Sequence, residues 1–304
     1  MSRIAHTRPS RRVFSSHLAS GALGAGALAA FGGVAQARGA SHAPDSEPFT
    51  TSAAAGLRPR TFTSHRRTTM TAARTAVLVH GAWADGSSWD RVTPILQRHG
   101  LTVVCVQLPM TSLQADINWL QTVLSVHVQD PAVVAGHSYG GAVISGMTGS
   151  NVTALAYIAA FAPAQGESLQ DLTSKHPATP VFSYLEPPDS AGYFWLRPDG
   201  FPAAFAQDAD PPTAALLATT QKPLPLGTFV APAGAPAWQR LPSWYLVAAE
   251  DRVIHPDLER FMAQRMGATT SEVKSSHVAM LSHPQQVAEV ILAAASGAAA
   301  HAAA

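Results

Sequence analysis

The stretch that decides the fold is residues 132–144, which read AVVAGHSYGGAVI. Its first four residues are typical of a buried strand, and the residues after Gly140 are typical of a buried helix. Between them lies the pattern G-x-S-x-G, with Ser138 at its centre. A strand that turns this sharply into a helix strains the serine backbone, and side chains at Gly136 or Gly140 would collide across the turn. The helix start would also direct N–H groups at a nearby negative charge.

Strands and helices alternate on both sides of this turn. Apolar runs of strand length occur at 76–79, 101–106, 132–135, 154–160, 244–248 and, more weakly, 271–273. Helical patterns occur at 89–98, 113–127, 140–147, 256–266 and 284–295. Apolar strands that alternate with helices predict an α/β fold, with a mostly parallel central sheet of about six strands and helices on both faces.

Residues 163–242 interrupt this alternation within a domain that we place at 72–296. An insertion of this size between two strands favours a helical cap over a site rather than a structureless loop. Residues 38–71 have the composition of a flexible linker, and residues 297–304 form a low-complexity tail. The predicted cap is rich in proline and in aromatic residues, namely Phe182, Tyr184, Tyr193, Phe194, Trp195, Phe201, Phe205 and Trp238.

The first 37 residues have the layout of a secretory signal peptide. Arg11 and Arg12 precede a weakly apolar Ala/Gly-rich stretch, and A-x-A follows at 35–37. The paired arginines indicate the twin-arginine route, and therefore a periplasmic or secreted protein. The stretch is too weakly apolar to predict a permanent membrane span. The alternative is that translation starts at Met70, which would leave the protein in the cytoplasm.

Charge and cysteine content exclude several classes of protein. From residue 72 onward there are 11 Lys and Arg against 17 Asp and Glu, so the domain is near −6 and lacks the basic face of a nucleic-acid-binding protein. The single cysteine, Cys105, forbids an internal disulfide, and its apolar neighbours predict a buried, inert strand residue. No CxxC or HExxH pattern occurs, so the sequence gives little basis for a metal site.

The loop after the first predicted strand, HGAWADGSSW at 80–89, contains two glycines. Such a loop can offer a backbone N–H to a developing oxyanion, together with the N–H of the residue after the nucleophile. We assign these two donors to Ala82 and Tyr139. His80 fits a residue that braces the loop, and His137 is likewise interpreted as structural.

The serine needs a base, and the base needs a carboxylate to orient it. In this type of fold the acid follows the serine and precedes the histidine along the chain. Asp251 lies just past the strand at 244–248, where open parallel sheets place functional groups. We predict Asp251 as the acid, with Glu250 as the alternative.

The predicted base is His277, which follows the last weak strand and precedes the final helix. His255 and His283 are competing candidates. Each stands beside a proline at a helix start, which favours a surface position.

With these residues in place, the sequence resembles the alpha/beta-hydrolase superfamily over about residues 75–295. In its loop and triad it is similar to a compact bacterial serine esterase and to the plant methylesterase and hydroxynitrile lyase group. The resemblance implies a central parallel sheet, a helical lid, no cofactor, and Ser138, Asp251 and His277 as the triad. It disfavours superfamily members with an aspartate nucleophile. Hydroxynitrile lyases of this group carry a threonine in place of Gly81 and a lysine in place of Val278, which favours hydrolysis here.

We therefore expect a serine hydrolase that cleaves a small carboxylic ester through an acyl-enzyme on Ser138. The cap aromatics predict an apolar substrate pocket, for which Trp83, Phe161 and Trp195 are the candidate lining residues, although a core role fits them equally well. The alternatives are a lyase, amidase, lactonase or cofactor-free perhydrolase with the same triad, or a ligand receptor without catalysis.

Overall fold

A six-stranded parallel sheet forms the centre of the protein. The computed structural model describes residues 72–297, and the sheet has the strand order β2-β1-β3-β4-β7-β8, with helices on both faces. The predicted fold class is confirmed. The strands are β1 (Thr75–Val79), β2 (Thr102–Val106), β3 (Ala132–Ser138), β4 (Val152–Ala160), β5 (Tyr193–Phe194), β6 (Leu224–Pro225), β7 (Ser243–Ala248) and β8 (Thr269–Val273).

The predicted helices of the sheet layers are also present. The one predicted at 89–98 is divided, because a 3₁₀ turn at Gly86–Trp89, capped by Asp85, precedes a helix that begins only at Thr93. The α-helices are α1 (Thr93–Arg98), α2 (Leu113–His127), α3 (Tyr139–Ser145), α4 (Leu169–Thr173), α5 (Pro211–Thr220), α6 (Leu226–Val230), α7 (Pro256–Met266), α8 (Ala279–Ser282) and α9 (Pro284–Ser296).

Burial follows the position of each strand in the sheet. Every residue of β1, β3 and β7 is buried, as continuous apolar runs predict for strands covered on both faces. The edge strands β2 and β8 are only partly buried. Cys105 lies on β2 and is therefore half-buried rather than fully buried as predicted. Burial raises the pKa of its thiol, which keeps the thiol protonated and unreactive.

The cap segment at 163–242 contains helices, as predicted, and also a small antiparallel ribbon of β5 and β6 that the sequence patterns did not indicate. It holds a π-helical turn at Phe201–Phe205, a form that is frequent at functional sites. Among residues 72–297, no helix combines the length and apolar character needed to cross a bilayer. The predicted signal peptide and linker, and the tail beyond Gly297, lie outside the described residues.

The turn between β3 and α3 is closed by glycines. A Cβ on Gly136 would lie 2.7 Å from the backbone carbon and oxygen of Gly140. A Cβ on Gly140 would lie 2.6 Å from the carbonyl oxygen of Val79 and 2.7 Å from that of His80. These distances confirm the predicted collision, because real Cβ contacts are longer. The turn is packed directly onto the end of β1.

Replacement of Gly140 by alanine is expected to destabilise the protein, because the neighbouring backbone cannot move aside without disturbing β1. We expect the free energy of unfolding, measured by urea denaturation, to fall by about 1–3 kcal/mol. Gly227→Ala is the matched control, since nothing lies within 4 Å of its added Cβ and alanine favours the helix. Equal stability of the two variants would contradict the close packing of the turn.

Candidate active site

Ser138 lies at the carboxyl end of β3, immediately before α3. Its backbone has φ 53° and ψ −123°, a conformation that costs a non-glycine residue about 1–3 kcal/mol and that occurs mostly at functional sites. Its carbonyl oxygen accepts a hydrogen bond from the Phe161 N–H at 3.0 Å. The residue is 4% exposed. The strained turn predicted from G-x-S-x-G is therefore present.

Asp251 and His277 form a buried pair. Asp251 follows β7 and accepts two backbone N–H groups at Oδ1, from Val253 at 2.6 Å and from Ile254 at 3.0 Å. Its Oδ2 lies 2.6 Å from Nδ1 of His277, and both side chains are fully buried. The carboxylate is thus held by the backbone and holds the imidazole in turn. This arrangement places the proton on Nδ1 and leaves Nε2 as the acceptor.

Nε2 of His277 is buried and has no hydrogen-bond partner among the described residues, so it is not bonded to Ser138 Oγ in this structure. His277 nevertheless lies beside the turn that carries Ser138. Its ring is 4.6 Å from the ring of His137, and Nε2 of His137 donates to the His277 carbonyl at 2.9 Å. Hydrogen bonds of catalytic groups are often long before substrate binds. The structure therefore joins Asp251 to His277 and places His277 against His137, the residue before Ser138.

The loop after β1 approaches Ser138 closely. A Cβ on Gly81 would lie 2.7 Å from Cβ of Ser138, so only glycine fits this approach. Ala82 follows directly and is buried. Tyr139 is the first residue of α3, and first-turn N–H groups have no partner within their own helix. Both predicted oxyanion donors thus belong to segments that flank the serine, and their role stays a prediction.

His80 braces this loop, as expected. Its Nδ1 donates to the carbonyl oxygen of Gly81 at 2.8 Å, and its Nε2 accepts the Leu108 N–H at 3.0 Å. This pattern requires the neutral ring. Burial lowers the pKa of His80 to about 4, and burial likewise lowers the pKa of His137.

Tyr139 leads to a buried carboxyl that the sequence reasoning missed. The Tyr139 hydroxyl donates to Oδ2 of Asp116 at 2.6 Å, and Oδ1 of Asp116 accepts the Met110 N–H at 2.8 Å. Burial raises the pKa of Asp116. A signal was present, because Asp116 lies at helical spacing with the apolar residues Leu113 and Leu120 of α2 and so falls on the buried face.

Phe205 is one of the predicted cap aromatics, but it was not among the candidate pocket residues. Its ring packs edge-on against His277 at 5.3 Å between centroids and against Trp83 at 6.2 Å. It is fully buried and belongs to the π-helical turn of the cap. Phe205 therefore lies over the candidate base.

The predicted pocket residues lie in different places. Trp83 donates its indole N–H to the Phe194 carbonyl at 3.1 Å and contacts Phe205. Phe161 bonds the Ser138 backbone. Trp195, which directly follows β5, donates its indole N–H to Asp189 at 3.0 Å in an exposed part of the cap. The structure brings Trp83 and Phe161 near Ser138 and His277, whereas the indole of Trp195 is held by Asp189.

The competing residues have other partners. Glu250 is exposed, and Asp251, not Glu250, bonds His277. His255 caps α7 by accepting the Asp257 N–H at 3.2 Å, and Nδ1 of His283 lies 2.9 Å from the Ser282 hydroxyl. Within 72–297, no three His, Cys, Asp or Glu side chains are grouped as a metal site would require.

The serine turn after a central parallel strand, with an Asp–His pair after later strands, is the architecture of alpha/beta hydrolases. The model of the alpha/beta hydrolase family matches residues 76–290, and the chain belongs to this family.

Three known proteins illustrate the similarity. Salicylic acid-binding protein 2 of Nicotiana tabacum is 25% identical over 248 residues, which are 71% of this chain and 95% of that protein. A carbendazim-hydrolysing esterase of Nocardioides sp. (strain SG-4G) is 30% identical over 113 residues, 33% of this chain, and the match spans only 47% of the esterase. The crystal structure of a pyrethroid hydrolase from Sphingobium faniae JZ-2 has a TM-score of 0.62 at 21% identity and covers 73% of this chain and 96% of its own. The tobacco match confirms the resemblance to the plant group.

The depressed pKa of His80 makes stability depend on pH. In the unfolded chain His80 binds a proton near the ordinary histidine pKa of 6.5, whereas in the folded protein it does so only near 4. Stability is therefore fully present above about pH 6.5 and decreases as pH falls toward 4, at about 1.4 kcal/mol per pH unit. We expect His80→Asn to reduce this slope in urea denaturation at stepped pH. His99→Asn, at an exposed histidine, is the control and should keep the slope; an unchanged slope in the His80 variant would contradict a buried neutral ring.

Proposed function

We propose that the protein is a carboxylic ester hydrolase that forms an acyl-enzyme on Ser138. The observation that carries this proposal is the buried His277, fixed at Nδ1 by Asp251 and unpartnered at Nε2, beside the strained serine turn. A buried nitrogen without a partner is unfavourable unless a ligand or a reaction uses it. A proton acceptor next to a serine hydroxyl supplies that use.

In the first half-reaction, Ser138 Oγ attacks the ester carbonyl carbon while Nε2 of His277 takes the hydroxyl proton. The imidazolium that forms is stabilised by Asp251, whose charge is held in place by its backbone hydrogen bonds. The carbonyl oxygen becomes an oxyanion and is met by the N–H groups of Ala82 and Tyr139. The alkoxide leaves with the proton from His277, and the acyl group remains on Ser138.

In the second half-reaction, His277 takes a proton from water, and the hydroxide attacks the acyl carbon. The same two N–H groups receive the second oxyanion. When the tetrahedral intermediate collapses, Ser138 Oγ leaves and recovers its proton from His277. The products are an alcohol and a carboxylic acid, and the enzyme returns to its starting state.

An apolar ester is the substrate class that best fits the surroundings of the centre. The cap side chain that packs on the base is aromatic, because the ring of Phe205 contacts both His277 and Trp83 of the loop after β1. Ser138 and His277 are almost wholly buried, so an ester needs some cap side chains to move aside, and Phe205 is the one that packs on the base. An apolar group on the substrate would replace the contacts that Phe205 gives up.

The relatives support an esterase, and the residues argue against a lyase. The Nocardioides relative is by its name a carbendazim-hydrolysing esterase. A threonine in place of Gly81, as in the hydroxynitrile lyases, would put a side chain 2.7 Å from Cβ of Ser138. Val278 is fully buried and apolar, so it offers no charge for a cyanide ion.

Replacement of Ser138 by alanine should abolish the hydrolysis of p-nitrophenyl esters, because it removes the hydroxyl on which the acyl-enzyme is proposed to form. We expect turnover to fall by about 10³-fold or more, with loss of fluorophosphonate labelling. Ser174→Ala, at a hydroxyl bonded to the cap helix α4, is the control and should retain both. Mandelonitrile cleavage without ester turnover would instead identify a lyase. If the wild type hydrolysed neither short-chain nor long-chain esters, that result would identify a ligand receptor.

Replacement of Phe205 by leucine should change the choice of substrate, because it shortens the side chain that packs on His277. We expect the ratio of kcat/KM for long over short acyl esters to rise by about tenfold. Phe182→Leu, at a cap phenylalanine that is 36% exposed, provides the control and should leave the ratio unchanged. The same ratio in both variants would place the acyl group away from Phe205.

A further inference from the structure

Glu259 is a buried carboxyl group that the proposed reaction does not use. It lies on the face of α7 that packs against β7 and is fully buried. Its Oε2 accepts the Ala248 N–H at 3.0 Å. Its Oε1 is also buried, and no donor reaches it among the described residues. A carboxylate with one bare oxygen in the core is strongly unfavourable.

Asp251 is the neighbouring acid, because Glu259 accepts the Ala248 N–H while the Ala248 carbonyl oxygen accepts the Asp251 N–H at 3.1 Å, and the two carboxyl groups interact. Asp251 already accepts two N–H groups at Oδ1 and His277 at Oδ2. Two ionised carboxylates contain only acceptors, so neither could donate to the other. The contact becomes favourable only when one of the two groups carries a proton.

The distribution of donors decides which group carries the proton. Asp251 receives three hydrogen bonds that favour its charged form, whereas Glu259 receives one and has a bare oxygen. Burial, and then the negative charge of Asp251, raise the pKa of Glu259 well above its usual range. Both lines of reasoning assign the proton to Oε1 of Glu259.

Within residues 72–297, no cation near Glu259 could neutralise its charged form by a hydrogen bond. Arg260, next on α7, turns to the exposed carboxylates of Asp257 and Glu272 at 2.7 and 2.6 Å. Tyr245, on the facing strand β7, donates its hydroxyl to the Ala160 carbonyl at 2.5 Å, and Tyr157 on β4 stacks on Tyr245 and reaches Ser145 at 3.0 Å. The charged form of Glu259 therefore has no positive partner within hydrogen-bonding distance in the described part of the chain.

We propose that Glu259 is a protonated carboxylic acid at neutral pH that donates a hydrogen bond to Asp251 and so positions the acid of the triad behind His277. Glu259 is a positioning residue, because it acts on His277 only through Asp251. Its proton is not consumed in turnover. The catalytic consequence rests on the proposed function, whereas the protonation can be measured without any substrate.

Stability against pH tests the protonation through Glu259→Gln. The glutamine amide can accept the Ala248 N–H with its oxygen and donate to Asp251 with its nitrogen, without a titration. In the wild type the pKa of Glu259 is higher in the folded protein than in the unfolded chain, where it is about 4.5. The stability that the protonated carboxyl contributes is therefore complete below pH 4.5 and is lost as the pH rises above it. Relative to the variant, the wild-type unfolding equilibrium constant should grow about tenfold per pH unit above that value.

Glu289→Gln is the matched control, since Glu289 is exposed on α9. The ratio of its unfolding equilibrium constant to that of the wild type should stay constant with pH. If the ratio of the unfolding equilibrium constants of wild type and Glu259→Gln stayed constant between pH 4 and 8, the proposal would be overturned. Infrared spectroscopy provides a second measurement. A protonated-carboxyl stretch should be present in the wild type at pH 7 and be lost in Glu259→Gln, and its absence from the wild type would likewise overturn the proposal.

The positioning role is tested by the pH profile of kcat/KM. Glu259→Leu removes the donor to Asp251, so the carboxylate acts more strongly on the charged imidazole of His277. The acid limb of the profile should therefore move to higher pH. Glutamine should restore the wild-type limb, and equal behaviour of the two variants would overturn this role. Ester turnover that survives Ser138→Ala would refute the proposed function alone, because the stability and infrared results do not depend on it.

Discussion

The backbone turn at Ser138 is the constraint on which the rest of the structure depends. With a φ of 53°, Ser138 departs from the extended conformation of β3, and the neighbouring strand β4 is irregular at the same level. The register between β3 and β4 shifts at this point, so Ser138 pairs with Ala160 and passes over Ala159, which itself has φ 44°. The next residue, Phe161, then bonds the Ser138 carbonyl. The strain of the turn is thus shared by two neighbouring strands and is held by the sheet as a whole.

Neutral histidines connect this turn to the loops around it. His137 joins it to the segment of His277, and His80 joins the oxyanion loop to Leu108. Burial lowers the pKa of both bracing histidines, so neither adds a positive charge to the site at neutral pH. His277 differs from them because Asp251 is bonded to its ring. A new charge on this imidazole is therefore met by a fixed carboxylate and is not opposed by its neighbours.

The sequence predicted what is encoded locally. Apolar runs, the glycines around Ser138 and the acid and histidine after later strands identified the fold and the Asp251–His277 pair. The missed residues depend on contacts between distant segments. Glu259 stands among charged residues of α7 that look like a solvated face, and only packing against β7 shows that it is buried. Phe205 and Trp195 were indistinguishable as cap aromatics, because no period of the sequence tells which one faces the centre.

Trp83 connects the cap to the loop after β1 (residues 80–89), which contains Ala82. The backbone of Trp83 has φ 54°. Its backbone N–H donates to the Lys222 carbonyl and its indole N–H to the Phe194 carbonyl. Its ring also packs against Phe205. Trp83 directly follows Ala82, so the direction of the Ala82 N–H depends on where the cap lies. If Ala82 donates to an oxyanion as proposed, a cap substitution that leaves Ser138, Asp251 and His277 in place alters that donation. Because donor geometry matters most where charge develops, such a change would act on kcat as well as on substrate binding.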